Sequence, residues 1–436
     1  MRRWLPLILL CLLPTTAWAG PYEFFGTGPR AIAMGGAYAA LGEDIAGLYY
    51  NIAAIKQVER LHLEAGYVYA APHYTINGRK HDVDVNRGVT FGGIVSMRIA
   101  GHRLSTGLNS FIPDDHVMRF LVLPTDHPHS PLVANANHTL VTIIGGACEV
   151  FDWWSIGVGM NVLADNRGGV TLRINENRPS TGSLKSEIGT FFSPVAGMWF
   201  HPLPAWRIGL GYREKVEMRL DLPNKISIPP LSAFPANNLT LLRESQLDLY
   251  AYTWSHFSPR QFQLGMAVQP WGSLMAAIDV THMAWSEMRT DAAASYVYLS
   301  GGLADVFPTQ NGTPPPEPNF HDTWNPALGI EGAVWQGDLL RVNLRGGYRY
   351  RPTPVPDQSG VSNYLDSNTH IPSLGVGLTL THLGELLPRP CSLDAFAQYH
   401  QHERRESHKD DPADRVGDLV FKGSWINVGA NVTLRF

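Results

Sequence analysis

The chain has 436 residues, of which 17% are charged, 10% are aromatic and 42 are glycine, and its formal net charge is −4. That mild acidity argues against a nucleic-acid partner, which selects for a basic surface that displaces counterions. Three cysteines are too few for a disulfide framework, and so little charge in so long a chain does not suit a large soluble secreted protein.

Residues 1–19 read as a secretory signal: Arg2 and Arg3, an apolar run over 5–13, and a small-x-small site at Ala17-Trp18-Ala19. Cys11 lies inside that run behind Leu9-Leu10, so it is not a lipoprotein cysteine, and it leaves with the leader. Cys148 and Cys391 remain as free thiols. The leader carries two arginines and no acid, so its removal moves the net charge from −4 to −6. No later stretch holds about 18 consecutive apolar residues, which leaves no helix able to span a bilayer. A closed β-barrel is the other structure that can.

Residues 26–55, GTGPRAIAMGGAYAALGEDIAGLYYNIAAI, are rich in glycine and alanine and precede the first alternating segment. They are read as a plug within residues 20–58, leaving 59–436 for the barrel. From there the sequence alternates. At the C-terminus Ile426, Val428, Ala430, Val432, Leu434 and Phe436 share one face, and Asn427, Gly429, Asn431, Thr433 and Arg435 share the other. A strand that is apolar outside and polar or small inside is the transmembrane-barrel signature. Fourteen such segments are expected, at 60–70, 88–100, 103–112, 138–150, 155–164, 191–200, 206–220, 261–268, 274–288, 324–335, 339–351, 371–381, 392–402 and 423–436. Their connections alternate short and long, which places both termini and the short turns on the periplasmic side. The fold expected is all-β, a 14-stranded antiparallel transmembrane β-barrel with an N-terminal plug in its lumen. Trp153, Trp154, Trp199, Trp206, Trp271, Trp285, Trp324, Trp335 and Trp425 fall near strand ends and read as interfacial girdles. Phe436, ending an amphipathic strand, resembles the signal that barrel-assembly machinery recognises.

The block Arg30 to Ala37 (RAIAMGGA), the acidic Asp44 and the triplet Asn51-Ile52-Ala53 resemble the hatch of the FadL family of outer-membrane channels for hydrophobic compounds, with isoleucine where that family has proline. The likeness extends through 206–222, 258–288, 321–356 and 364–380. It implies a plug and gate formed around Gly35, Gly36, Asp44, Asn51, Ile52 and Ala53. It also implies capture of a hydrophobic ligand by external loops, a pocket in the lumen, and lateral exit into the bilayer through a kinked third strand. In this chain the third strand offers Gly107 and Asn109 for such a kink. The loop 229–242 (PPLSAFPANNLTLL) is apolar and compatible with a helix, and its Leu231, Phe234, Leu239, Leu241 and Leu242 are the candidate capture residues.

The function expected is passive outer-membrane transport of long-chain fatty acids or aromatic hydrocarbons, with no cofactor. The alternatives are a structural or adhesive barrel of the same fold and a barrel enzyme such as a phospholipase. The expected partners are the hydrophobic ligand, outer-membrane lipid with lipopolysaccharide, and the assembly machinery, with the chain a monomer. His116, His127, His129 and His138, near Asp114, Asp115 and Asp126, fit no compact ligand spacing, so no metal is expected. The glycine-rich stretch lacks a phosphate-loop lysine, and no Gly-x-Ser-x-Gly occurs.

Overall fold

The computed structural model describes residues 22–114, 127–130, 140–173, 181–228, 231–234, 239–241, 244–290, 294–302, 304, 310–311, 316–381 and 389–436. Among these, fourteen strands form one closed antiparallel cylinder: β1 (Leu61–Ile76), β2 (Asn86–Ile99), β3 (His102–Pro113), β4 (Val141–Phe151), β5 (Trp154–Arg173), β6 (Thr181–Leu203), β7 (Trp206–Arg213), β8 (Arg260–Trp271), β9 (Leu274–Ala284), β10 (Thr323–Gln336), β11 (Leu340–Arg351), β12 (Thr369–Leu380), β13 (Cys391–His402) and β14 (Leu419–Arg435). Closure is made by β14 on β1, from Ile76 opposite Phe421 to His62 opposite Arg435. No edge is left, so every strand can satisfy its backbone in a medium without water.

The alternation read from the sequence sets which side faces out. Along β10, Asn325, Ala327, Gly329 and Glu331 point inward and are buried or nearly so, while Trp324, Leu328 and Ile330 are exposed on the outer wall. Trp153, Trp271, Trp324 and Trp335 are at least half exposed near strand ends, as an interfacial girdle requires. Trp199, Trp285 and Trp425 are buried inside, which corrects the girdle reading for those three. A tryptophan near a strand end has two faces available, and composition alone does not choose between them.

Beyond the barrel the strands continue further than the alternation suggested. Two residues after β7 the chain resumes as a strand over Val216–Ile228, which pairs with Ser245–Ser258; that strand in turn pairs with Ala294–Gly301. Val216–Ile228 also runs parallel to the outer end of β5. The third strand differs from expectation too. β3 is paired to β2 from Gly88 opposite Pro113 to Ile99 opposite His102, and to β4 from Leu104 opposite Cys148 to Phe111 opposite Val141, with no register shift. The ladders on both edges run through Gly107 and Asn109 without a register shift.

Candidate functional site

Short helical turns at Tyr22–Phe25, Pro29–Ala33, Gly47–Tyr50 and Ile52–Gln57 fold residues 22–57 into a body inside the cylinder. Pro29 opens its helix, where a missing N–H costs nothing. The chain then reverses at Gly35 and Gly36, whose φ angles of 68° and 83° are left-handed. Gly35 is small for a second reason: a Cβ there would stand 2.7 Å from the Tyr348 nitrogen of β11 and 2.9 Å from the Leu328 oxygen of β10. Asn51 accepts from the Ala53 N–H at 3.1 Å and so caps the following turn, while its Nδ2 donates to the Ala39 oxygen at 2.8 Å and to the Met198 oxygen of β6 at 2.9 Å. Ile52 takes the first position of that turn, the place proline favours. Its Cδ1 fills a slot that Gly145 and Gly159 leave in the wall, so the turn is held by a cap and by packing without proline.

The wall opposite this body is stripped of side chains. Gly92 of β2, Gly157 of β5, Gly197 of β6, Gly209 of β7, Gly265 of β8, Gly329 of β10, Gly347 of β11 and Gly375 of β12 all face inward, and a Cβ on any of them would press on a residue of the plug. At Gly157, Gly209, Gly329 and Gly347 plug backbone therefore lies directly against barrel backbone. Where strands do carry side chains here, they anchor the plug. Asp279 of β9 accepts from the Tyr38 and Ala39 N–H groups at 2.9 and 2.8 Å. Asn109 of β3 accepts from the Tyr22 hydroxyl at 3.0 Å and donates to the Ile45 oxygen at 3.1 Å. Trp199 of β6 donates to the Ala40 oxygen at 2.8 Å.

Below the glycine contacts the two flanks differ. On the β4–β7 flank the turn Ile52–Gln57 packs down to the rim, where the Lys56 Nζ lies 3.1 Å from Glu149 and donates to the Asp152 oxygen at 2.9 Å. On the flank formed by β10–β14 and β1 a polar cavity of about 300 Å³ remains. Arg30 crosses its edge, binding Glu331 of β10 in bidentate fashion at 2.9 and 2.7 Å and Glu43 of the plug at 2.7 Å. Arg345 of β11 joins Glu331 to Asp394, and Arg207 of β7 shares Glu43. Burial raises the Glu43 carboxyl, but the guanidinium groups of Arg30 and Arg207 outweigh it and hold the acid below its ordinary range. Burial, and then the neighbouring Glu64, push Asp44 up to about 6; its carboxylate accepts from the Tyr38 hydroxyl at 2.7 Å and the Ala46 N–H at 3.0 Å.

Above the plug an aromatic cluster packs beside buried polar groups, with Trp425 Nε1 donating to His402 at 3.0 Å and Arg351 paired with Asp366 at 3.1 Å. Phe25 meets Trp425 edge to face at 5.1 Å, and around them pack Tyr74, Trp285, Phe320, Tyr364 and Phe421. A second feature lies on the outer wall, an apolar depression of about 450 Å³ over β2–β5 bounded by Val95, Met97, Leu104, Ile156 and Val158 and floored by Gly146 and Gly157.

Gly35, Gly36, Asp44, Asn51, Ile52 and Ala53 thus meet in one body. Gly107 lies on the same inward face as Asn109, against the buried Ile94 of β2, and Asn109 is one of the anchors of that body. The stretch 229–242 is not helical where it is described: Leu231–Phe234 and Leu239–Leu241 pair as a small antiparallel ribbon. Pro229, Pro230 and Pro235 remove donors and bias their neighbours away from helix. Leu242 and the side chains of Leu231, Phe234, Leu239 and Leu241 lie outside the described residues, as do His116 and His138. The sequence reading missed Arg30, Glu331, Arg345 and Asp279. Their inward polar positions were visible, but partners some 300 residues apart were not.

No family model matches the chain. Alkane uptake protein A of Marinobacter nauticus is 23% identical over 456 residues, covering 97% of this chain and 93% of that protein. Among solved structures, a FadL homologue of Pseudomonas aeruginosa superposes with a TM-score of 0.59 at 15% identity, over 94% of this chain and 98% of that one. The toluene transporter TodX of Pseudomonas putida gives a TM-score of 0.56 at 14% identity, over 97% and 100%. The toluene transporter TbuX of Ralstonia pickettii gives 0.55 at 15%, over 95% and 100%. The fold of this chain is that of the FadL-type channels.

Proposed function

We propose that the chain is a passive channel for hydrophobic compounds in the bacterial outer membrane, serving alkanes, monoaromatic hydrocarbons or long-chain fatty acids. The observation that carries this reading is a lumen occupied by residues 22–57, with the aromatic cluster around Phe25 and Trp425 directly above. A porin for polar solutes gains nothing from a plug, whereas a greasy solute is drawn from water by about 0.8 kcal/mol for each CH₂ it buries. An alkane uptake protein as relative and two toluene transporters as structural neighbours support the same substrate class. In this reading external loops capture the ligand, including the stretch with Leu231, Phe234, Leu239, Leu241 and Leu242. The compartment around Phe25 and Trp425 receives it, and it leaves sideways into the bilayer. The leader 1–19 directs export, Phe436 presents the assembly signal, and the barrel works as a monomer.

The test is uptake of radiolabelled hexadecane, toluene and oleate by cells with and without the gene. Faster entry of at least one of the three is expected. Equal rates for all three remove the transport role.

A further inference from the structure

The strands Val216–Ile228, Ser245–Ser258 and Ala294–Gly301 present a face that continues the outward side of β7 and β8. Outward position is set by register: Met218 and His256 pair and are buried, so Arg219 and Trp254, the next pair, turn to the opposite face. On it Tyr252 and Tyr296 stack at 6.2 Å with an interplanar angle of 14°, and Tyr250 stands 6.0 Å from Tyr252. The Arg219 guanidinium lies 4.0 Å from the Tyr252 ring centre and donates to the Tyr250 hydroxyl at 2.6 Å and to Asp221 at 3.0 Å. Tyr298, on the same face opposite Asp248, is 52% exposed. Rigid tyrosines offering flat apolar rings with polar edges, beside fixed hydrogen-bonding groups, suit stacking against a sugar ring.

Directly below come two further zones. Arg260 bonds Glu214 at 2.9 Å and Glu287 at 2.8 Å, and Lys215 pairs with Glu287 at 2.9 Å and Glu217 at 3.3 Å. These charges are spent largely on one another. Beneath them an apolar groove of about 660 Å³ opens on the outer wall between Met198, Leu210, Tyr212, Phe262, Leu264 and Trp324. The vertical order is therefore acyl groove, ionic belt, tyrosine platform.

Height decides the occupant. At about 3.3 Å per residue and a tilt near 45°, Tyr252 stands about 19 Å above Arg260, while the headgroup layer of one leaflet is only about 5–8 Å thick. A phospholipid seated in the groove ends well short of the tyrosines. We infer that this outer face binds a glycolipid of the outer leaflet, lipopolysaccharide, with an acyl chain in the groove and its sugars on Tyr250, Tyr252 and Tyr296. The inference rests on the outer-membrane reading above, but not on which compound is carried.

The experiment purifies the full chain in non-ionic detergent from cells making complete lipopolysaccharide and measures retained lipid by native mass spectrometry. The wild type is expected to keep lipopolysaccharide in stoichiometric amount, to keep it in high salt because the belt is self-paired, and not to exchange it for phosphatidylethanolamine. The double variant Tyr252→Ser/Tyr296→Ser is expected to lose about tenfold in retention, with hexadecane uptake unchanged. Protein from cells making lipopolysaccharide cut back to its innermost sugars is expected to match that double variant. Retention untouched by the tyrosine changes, or phospholipid held equally well, overturns the inference. If the double variant does not assemble, Tyr298→Ser, at an exposed position, is read in its place. Loss of uptake with retention intact would count against the transport reading alone.

Discussion

The plug meets the barrel in two ways, and the contrast says how it can move. On the β4–β7 flank it is fitted mainly by shape: Ile52 enters the slot left by Gly145 and Gly159 and Ala53 abuts Gly157, with Lys56 paired to Glu149 at 3.1 Å near the rim. The close-packed backbone there has no adjustable side chain to absorb a change. On the β10–β14 flank the plug is held by ion pairs around a polar cavity, Arg30 to Glu331 and Glu43, with Arg345 behind. Those contacts can be traded for water or salt one at a time. A plug built this way parts first on its wet flank, with the dry flank as the hinge.

Breaking the dry flank has the largest effect. In Gly157→Val the new Cβ stands 2.6 Å from the Ala53 nitrogen and 2.8 Å from the Ile52 carbonyl carbon, backbone atoms that cannot yield. Overpacking of this kind costs about 1–3 kcal/mol or more, and the plug is expected to unseat, seen as steady ion conductance in planar bilayers. Gly346→Val is the control, since only the end of the Leu374 side chain lies nearby, at 3.8 Å, and it is expected to stay tight. Next comes Arg30→Met, which strands Glu331 and Glu43. Losing one partner of a fully buried pair costs about 3–5 kcal/mol; here the cavity is polar and partly open, so a smaller loss is expected. The contrast sharpens with salt: relative to bulk conductivity, 1 M KCl should raise the leak of the wild type through the wet flank and leave that of Gly157→Val unchanged.

The third effect is one of pH. Asp44 in the seated plug is pushed to about 6 from an ordinary 3.8. A carboxyl raised in this way favours the seated state while it is protonated. Seating is therefore unpenalised below about pH 4, weakens as pH rises from 4 to 6, and carries the full cost, roughly 3 kcal/mol at most, above that. Leak conductance should rise across this window in the wild type and stay flat in Asp44→Asn; an equal rise in both would remove Asp44 from the explanation. The smallest effect is expected from Asn51→Ala, which deletes a cap and two donated hydrogen bonds at a cost of about 1–2 kcal/mol, read as a lower temperature for heat-induced mobility shift on gels.

The barrel itself was legible in the sequence because alternation is a local signal. All fourteen strands are found where Leu or Val outside alternates with Gly or Asn inside, as at residues 426–436. The alternation does not register where the membrane ends, so 206–220 was read as one strand, and residues 221–228 and Ser245–Ser258 as loop. Glycines were legible as residues but not as contacts. Gly107, singled out for a kink, sits in an unbroken ladder, while Gly209 and Gly347 matter because plug backbone presses on them. The residues Arg30 to Ala37 marked the plug by resemblance, yet the anchors Asp279 and Glu331 depend on which strands the closed cylinder brings opposite.

The claim on which the rest depends is that residues 26–55 are the seal. Single-channel recording in planar bilayers compares the full chain with one lacking 26–55, both shown to be inserted by gel mobility. The full chain is expected to be nearly silent and the deletion to conduct as an open pore. Equal tightness in the two would contradict the plug, and the route built on it for hydrophobic compounds.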